Sequence, residues 1–298
     1  MRVLVLGANG MLGHKLLQIL GEDFEVRGTV RSDASTFDDH PVLGGIDCAG
    51  GVDVTDLDRL EEQIAWAREG AVINAIGVVK QLAAAKDPIE SITINALHPH
   101  RAAKICARHG ARFLHLSTDC VFSGKKGAPY LETDAPDPED LYGRSKLLGE
   151  VTGPGCLTLR TSIVGRELGR ATGLFEWCIS QRGGTIRGFS GAIYSGLTTL
   201  ALTRVIGTVL THFPSLSGVR QVSSDPIDKF TLLSLLNEAL DLGLTIERDT
   251  EFVCDRSLDS AGFREAVGYT PPTWQELIDD FAADPIPYEE LHAAPRDR

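Results

Sequence analysis

In the stretch LYGRSKLLGE, residues 141–150, a tyrosine and a lysine stand four positions apart. On a helix that spacing puts both side chains on one face, so the Tyr142 hydroxyl and the Lys146 ammonium can reach one point. An ammonium beside a phenol favours the phenolate and brings its pKa down from about 10 toward working pH. Ser117 and Thr118 end the apolar run ARFLHLST at 111–118 and present hydroxyls where a parallel sheet binds its ligands. Thr118, Tyr142 and Lys146 together make a proton-transfer site. A helix-surface pair without chemistry would account for Tyr142 and Lys146 alone. The strand-end hydroxyl and the glycine turn near the N-terminus argue against it.

That turn lies in VLVLGANGMLGHKLLQIL, where Gly7, Gly10 and Gly13 follow a strand and open a helix. Glycines let backbone amides approach a diphosphate, and a helix N-terminus adds partial positive charge. Gly7, Asn9, Gly10, Met11, Leu12 and Gly13 are therefore the expected dinucleotide cradle. After the second strand, TVRSD brings Arg31 ahead of Asp33. An acid there would hold the adenine ribose of NAD, whereas an arginine meets a 2′-phosphate, so NADPH is the expected cofactor and NADH the alternative. In VINAIGVVK, Asn74, Ala75 and Gly77 are small residues at a strand end, which would let the backbone pass close to the cofactor. Asn95, an amide among apolar neighbours in ITINALHPHRAAK, is read either as holding a water or a main-chain carbonyl under the site, or as a plain buried asparagine.

The elements that must position these groups follow from periodicity. Strands are expected at 2–7, 24–30, 71–77, 111–118 and 156–161, alternating with helices near 11–20, 56–69, 88–109 and 141–151. The class is α/β, a doubly wound parallel sheet of Rossmann type over residues 1–160 with a smaller C-terminal substrate-binding lobe. Residues 161–298 are expected mainly in that lobe, with some segments returning to the cofactor domain. In this second half, paired-glycine loops such as 181–191 alternate with helices near 198–212, 226–242 and 273–283, and strand-like pieces are few and short. The tail DPIPYEELHAAPRDR is expected to fray.

Composition excludes several classes. The chain has 298 residues, 43% of them hydrophobic, and a net charge of −12, which argues against nucleic acid or an anionic membrane as a partner. Six cysteines without a C-x-x-C pair read as reduced thiols, and eight histidines offer no zinc-ligand spacing. The apolar run at the N-terminus is too short for a signal or spanning helix, so the expected location is the cytoplasm.

Four segments carry a resemblance: GANGMLG at 7–13, STDCVFSG at 117–124, ETDAPDPEDLYGRSKLLGE at 132–150 and LRTSIVG at 159–165. The chain resembles the extended short-chain dehydrogenases, and within them the dTDP-4-dehydrorhamnose reductase group. The resemblance implies reduction of a nucleotide-linked 4-keto-6-deoxy sugar, with Thr118 as catalytic hydroxyl, Tyr142 as acid, and Lys146 as its activator and ribose anchor. It also implies adenine contacts at Asp53 and Val54, although Asp53 in GVDVTD could equally cap the next helix. Some members bind Mg²⁺ through acidic residues at a dimer interface; no such cluster is legible here, and a homodimer is compatible with the family. The group usually carries a tyrosine after STD, where this chain has Cys120. Arg166, Arg187 and Lys80 are candidates for the substrate diphosphate. A C4 epimerase or dehydratase, and a regulatory subunit that retains the fold, are the competing readings.

Overall fold

β1 (Arg2–Leu6) carries four consecutive fully buried apolar residues, Val3 to Leu6. Successive strand side chains point to opposite faces, and Val3 and Val5 enter one apolar core while Leu4 and Leu6 enter another. A strand buried on both faces calls for a sheet covered by helices on each side. The computed structural model describes residues 1–38, 40–79, 86–169 and 172–293.

The other strands are β2 (Glu25–Thr29), β3 (Cys48–Ala49), β4 (Ala71–Asn74), β5 (Arg112–Leu116), β6 (Cys156–Arg160), β7 (Ile163–Val164), β8 (Thr185–Tyr194), β9 (Leu197–Thr198), β10 (Gly218–Gln221), β11 (Ile227–Asp228) and β12 (Thr245–Asp255). Seven of them form one sheet in the order β10-β6-β5-β4-β1-β2-β3, and every pairing in it is parallel. The order reverses between β1 and β4, which is where doubly wound sheets open a crevice for dinucleotides. The fold is thus the expected α/β Rossmann type.

The helices are α1 (Gly13–Leu20), α2 (Leu57–Trp66), α3 (Pro88–Ser91), α4 (His98–Arg108), α5 (Leu141–Leu148), α6 (Leu174–Ser180), α7 (Thr199–His212), α8 (Lys229–Ala239), α9 (Ala261–Val267), α10 (Trp274–Ala282) and α11 (Tyr288–Ala293). On one face Leu16, Leu17 and Leu20 of α1 share a core with Val205, Ile206 and Val209 of α7. On the other, Leu60 and Ile64 of α2 meet Ala102, Ile105 and Cys106 of α4. Among the described residues no helix is long and apolar enough to cross a membrane.

Three expectations are corrected. The stretch 181–191 is not a loop throughout, because β8 begins at Thr185 and pairs with the eleven-residue β12 in a three-stranded sheet, order β11-β8-β12. Its glycines obscured the strand, yet they are what the packing requires: a Cβ on Gly188 would stand 2.8 Å from Ile246 Cγ2, and one on Gly191 2.6 Å from the Phe252 carbonyl oxygen. The helix expected over 88–109 is interrupted by a π-helical segment, Ile92–Leu97. The tail does not fray as a whole, since Tyr288 of α11 is 1% exposed and belongs to the main core.

Candidate active site

α5 begins at Asp140, whose carboxylate accepts the Gly143 N–H at 2.8 Å as an N-cap. It is pressed onto its surroundings through two glycines that sequence reasoning passed over. A Cβ on Gly143 would lie 2.2 Å from the Cys120 carbonyl oxygen, and one on Gly149 would lie 1.9 Å from that of Asn95. This close seating brings Tyr142 to the end of β5, close enough for the Thr118 side chain to act on its phenol. Thr118 is buried, and its hydroxyl also accepts the Cys120 N–H at 3.1 Å and donates to Asp119 at 3.0 Å.

Lys146 lies one turn further along α5, almost wholly buried, with its ammonium donating to the Leu116 carbonyl at 2.5 Å. Burial lowers its pKa to about 8, opposed by the carboxylate of Glu150. The phenol moves the other way. Burial raises the Tyr142 pKa, with contributions from Cys120, Asp119 and Asp140, and the Thr118 side chain opposes the rise. The expected lowering of the phenol by Lys146 is therefore corrected: desolvation wins, the ammonium is committed to a backbone carbonyl, and the phenol keeps its proton.

Glu150 was missed. It follows Lys146 by four residues, the same interval that separates Tyr142 from Lys146, and that repeat was the available signal. Its carboxylate accepts the Ser117 hydroxyl at 2.7 Å and, bidentately, the Nε and Nη2 hydrogens of the Arg160 guanidinium at 2.8 and 2.7 Å. Ser117 is thereby turned away from Thr118 into a buried network.

Asn95 sits in the π-helical segment and closes a two-way bridge to the segment that follows β4, accepting the Val78 N–H at 2.8 Å and donating to the Val78 carbonyl at 3.0 Å. It also donates to the Ser145 hydroxyl at 3.1 Å, linking that segment to α5. Asn95 thus holds a main-chain carbonyl and is at the same time a buried, satisfied asparagine, so both readings of it fit. Asn74 accepts the Ile76 N–H at 3.2 Å while its amide nitrogen meets the His115 ring at 3.1 Å. Between them, a Cβ on Gly77 would lie 3.9 Å from Lys146 Nζ and 3.4 Å from Asn95 Oδ1. Gly77 thus leaves open the space beside the ammonium, and Ala75 precedes it along the same strand end.

The glycine turn is equally close-packed. Gly7 takes φ +86°, and a Cβ on Gly13 would lie 2.0 Å from the Gly7 carbonyl oxygen. Gly10 donates its N–H to that same oxygen at 3.1 Å. α1 has Leu12 at its N-cap and no side chain capping it, and of its first amides the His14 N–H goes to the Gly10 carbonyl at 3.3 Å. Asn9, Met11 and Leu12 complete this turn. Arg31 is exposed just past β2. Asp53 binds the Thr55 N–H at 2.8 Å and the Thr55 hydroxyl at 2.6 Å, which holds its carboxyl below the usual range, with Arg31 adding to the effect. It does not cap α2; Asp56 does, accepting the Arg59 N–H. Val54, next to Asp53, is buried.

Two diphosphate candidates are engaged elsewhere. Arg166 is buried against Glu176 at 2.8 Å and Glu289 at 3.0 Å, and Arg187 pairs with Asp249 on the three-stranded sheet. Lys80 lies outside the described residues. Cys120, in place of the usual tyrosine, has its thiol 3.8 Å from the Arg256 guanidinium and its pKa pushed up to about 12 by burial. All six cysteines are free thiols. Among the described residues no group of three or more His, Cys, Asp or Glu side chains could hold a metal ion.

Comparison with known proteins places this geometry in a family. Residues 1–172 match the family described as the RmlD substrate binding domain. A probable low-salt glycan biosynthesis reductase, Agl14, of Haloferax volcanii is 34% identical over 170 residues, 55% of this chain and 54% of that protein. A dTDP-4-dehydrorhamnose reductase of Burkholderia thailandensis is 33% identical over 168 residues, 55% of this chain and 50% of its own. The chain thus spans about half the length of these two curated relatives. The crystal structure of dTDP-4-dehydrorhamnose reductase from Bacillus anthracis in complex with NADP superposes with a TM-score of 0.77 at 21% identity, over 96% of this chain and 99% of that one, a likeness of fold. With its glycine turn, its Thr118–Tyr142–Lys146 constellation and the whole of its first six strands inside the matched region, the chain belongs to the RmlD substrate-binding-domain family.

Proposed function

We propose that the protein is an NADPH-dependent reductase of a nucleotide-linked 4-keto-6-deoxy sugar. Residues 1–160 would supply the cofactor domain, and the later three-stranded sheet with its helices the substrate lobe. The observation that carries the reading is the convergence of Thr118, Tyr142 and Lys146 at the end of β5, with the open side of Gly77 next to them. The protein would work in the cytoplasm.

The residues fit a dinucleotide. The glycine turn and the uncapped start of α1 would take the diphosphate, Arg31 the 2′-phosphate, and Asp53 with Val54 the adenosine. Asn74, Ala75, Gly77 and Asn95 would line or support the middle of the site, and Lys146 would hold the nicotinamide ribose. When bound, the cofactor supplies a hydride to the C4 carbonyl.

The chain's own part is a proton. Because burial keeps the Tyr142 phenol protonated, it is in the state needed to donate to the oxygen that becomes an alkoxide. Thr118 orients that phenol and donates to the same oxygen. NADPH as the preferred cofactor rests on Arg31, and a deoxysugar nucleotide on the names of the relatives. The assay is to supply several dTDP- and UDP-linked 4-keto-6-deoxy sugars with NADPH and follow its absorbance together with the sugar product. One NADPH lost per ketone reduced is expected; inversion at C4 with no net NADPH change would establish an epimerase instead.

A further inference from the structure

The glycine turn is held from behind by a segment nearly 280 residues away in sequence. His14, on the first turn of α1, is fully buried; its Nδ1 lies 2.8 Å from the Gly10 carbonyl oxygen and its Nε2 lies 2.8 Å from the Tyr288 hydroxyl. A carbonyl only accepts, so Nδ1 carries the ring proton and Nε2 is the acceptor of the neutral imidazole; the single Tyr288 proton is shared between that nitrogen at 2.8 Å and the Asp284 carboxylate at 3.3 Å, and the shorter contact goes to His14. Burial keeps that ring neutral by lowering its pKa to about 4.

The neighbouring residue, Lys15, forms a buried ion pair with Asp284 at 2.5 Å, and its ammonium lies 5.3 Å from the Tyr288 ring centroid. The Arg166 guanidinium also lies over that ring, at 4.6 Å, while binding Glu176 and Glu289. His292 then reaches the Glu167 carbonyl at 2.6 Å. Gly173 returns to the turn, since a Cβ on it would stand 2.7 Å from Met11 Cε. Residues 284–292 therefore tie α1, the turn and the segment after β7 into one cluster.

We propose that this segment is a strap that sets the glycine turn for the dinucleotide, with Tyr288 as a positioning residue acting through His14. The proposal rests on the reductase reading, and its physical basis is the planarity of the peptide. In a trans peptide the carbonyl of Gly10 and the N–H of Met11 point in opposite directions. Drawing the Gly10 carbonyl inward to His14 turns the Met11 N–H outward, to the side where a phosphate would lie. The carbonyl also accepts the His14 backbone N–H at 3.3 Å, so helix start and imidazole fix one peptide plane between them. Without the phenol, His14 has a buried nitrogen with no donor, and the ring is free to rotate away from Gly10.

The test is Tyr288→Phe, which keeps the ring against Lys15 and Arg166 and removes only the hydroxyl. Fluorescence titration should give NADPH and NADH dissociation constants about three- to tenfold weaker, with turnover at saturating cofactor within about twofold of the parent. Glu290→Ala, at an exposed position of the same segment, should leave both constants within about twofold. Unchanged affinity in Tyr288→Phe, or an equal loss in Glu290→Ala, would overturn the proposal while the reductase reading stands. A parent protein that binds neither NADPH nor NADH in the same titration would overturn both. If Tyr288→Phe does not fold, amide exchange in the parent decides: coupling is reciprocal, so NADPH should slow exchange across 284–292, and unaltered exchange there would overturn the strap.

Discussion

Lys146 carries a cost that its function explains. Between about pH 8 and its ordinary 10.5 the unfolded chain holds a proton that the folded chain has released, so stability rises with pH across that window and is lowest below it. Lys146→Met should raise stability at pH 7 by on the order of 1 kcal/mol, the relief of a desolvated charge less the lost bond to Leu116, as read by urea unfolding. The same protein should bind cofactor poorly. In the parent, cofactor affinity should decline as pH rises through about 8, opposite in direction to stability, and a titration in parallel with denaturation would detect the crossing. Tyr142→Phe should fold, bind cofactor and lose at least about a hundredfold in turnover. Arg31→Ala should weaken NADPH roughly ten- to hundredfold with little change for NADH; equal losses would remove the 2′-phosphate assignment. Candidates for roles of this kind were legible because residue type and spacing announce them. The sign of the Tyr142 shift was not, since it depends on how deeply α5 is seated and on where the Lys146 ammonium finds its acceptor.

At the scale of elements, the site depends on α5 and the π-helical segment lying unusually close. The wider turn at Ile92–Leu97 delivers Asn95 to both backbone groups of Val78, and π segments recur at functional sites for this reason. Asn95→Leu would strand those two groups and Ser145, so a loss of about 2–4 kcal/mol is expected from denaturant curves, with weakened cofactor binding in whatever folds. Gly149→Ala should be costly as well, since its Cβ would fall within covalent range of the Asn95 oxygen and the helix must back away, carrying Lys146 with it. Sequence periodicity revealed a helix at 88–109 but could not reveal the π insertion, because a six-residue segment is too short to establish a period of its own. Strand β8 was hidden for a different reason. Its glycines look like turn residues until the chains that pack against them, at Ile246 and Phe252, are seen.

The whole molecule is closed by long-range pairings that no local pattern announces. β10, from the second half, adds to β6 in parallel, and Arg112 donates to the Val209 and Leu216 carbonyls at 3.2 and 2.7 Å just before it. α7 covers the face of the sheet beside α1. A fragment ending at residue 172, the matched part of the family, would therefore leave the β6 edge unpaired and the α1 face bare. It should aggregate when expressed alone, whereas the full chain should elute as a discrete species; a monodisperse fragment with a cooperative thermal transition would contradict this.

The placement of β10 also has a consequence on the ribosome. β6 ends at Arg160 and its partner starts at Gly218, so roughly 60 residues must emerge before that edge can close. At about 5–20 residues per second this is a delay of several seconds, during which a nascent Rossmann sheet offers an open parallel edge to any other chain. Slowing translation across 161–217 would lengthen that exposure, and holdase chaperones should be found on nascent chains of this length in preference to shorter or longer ones.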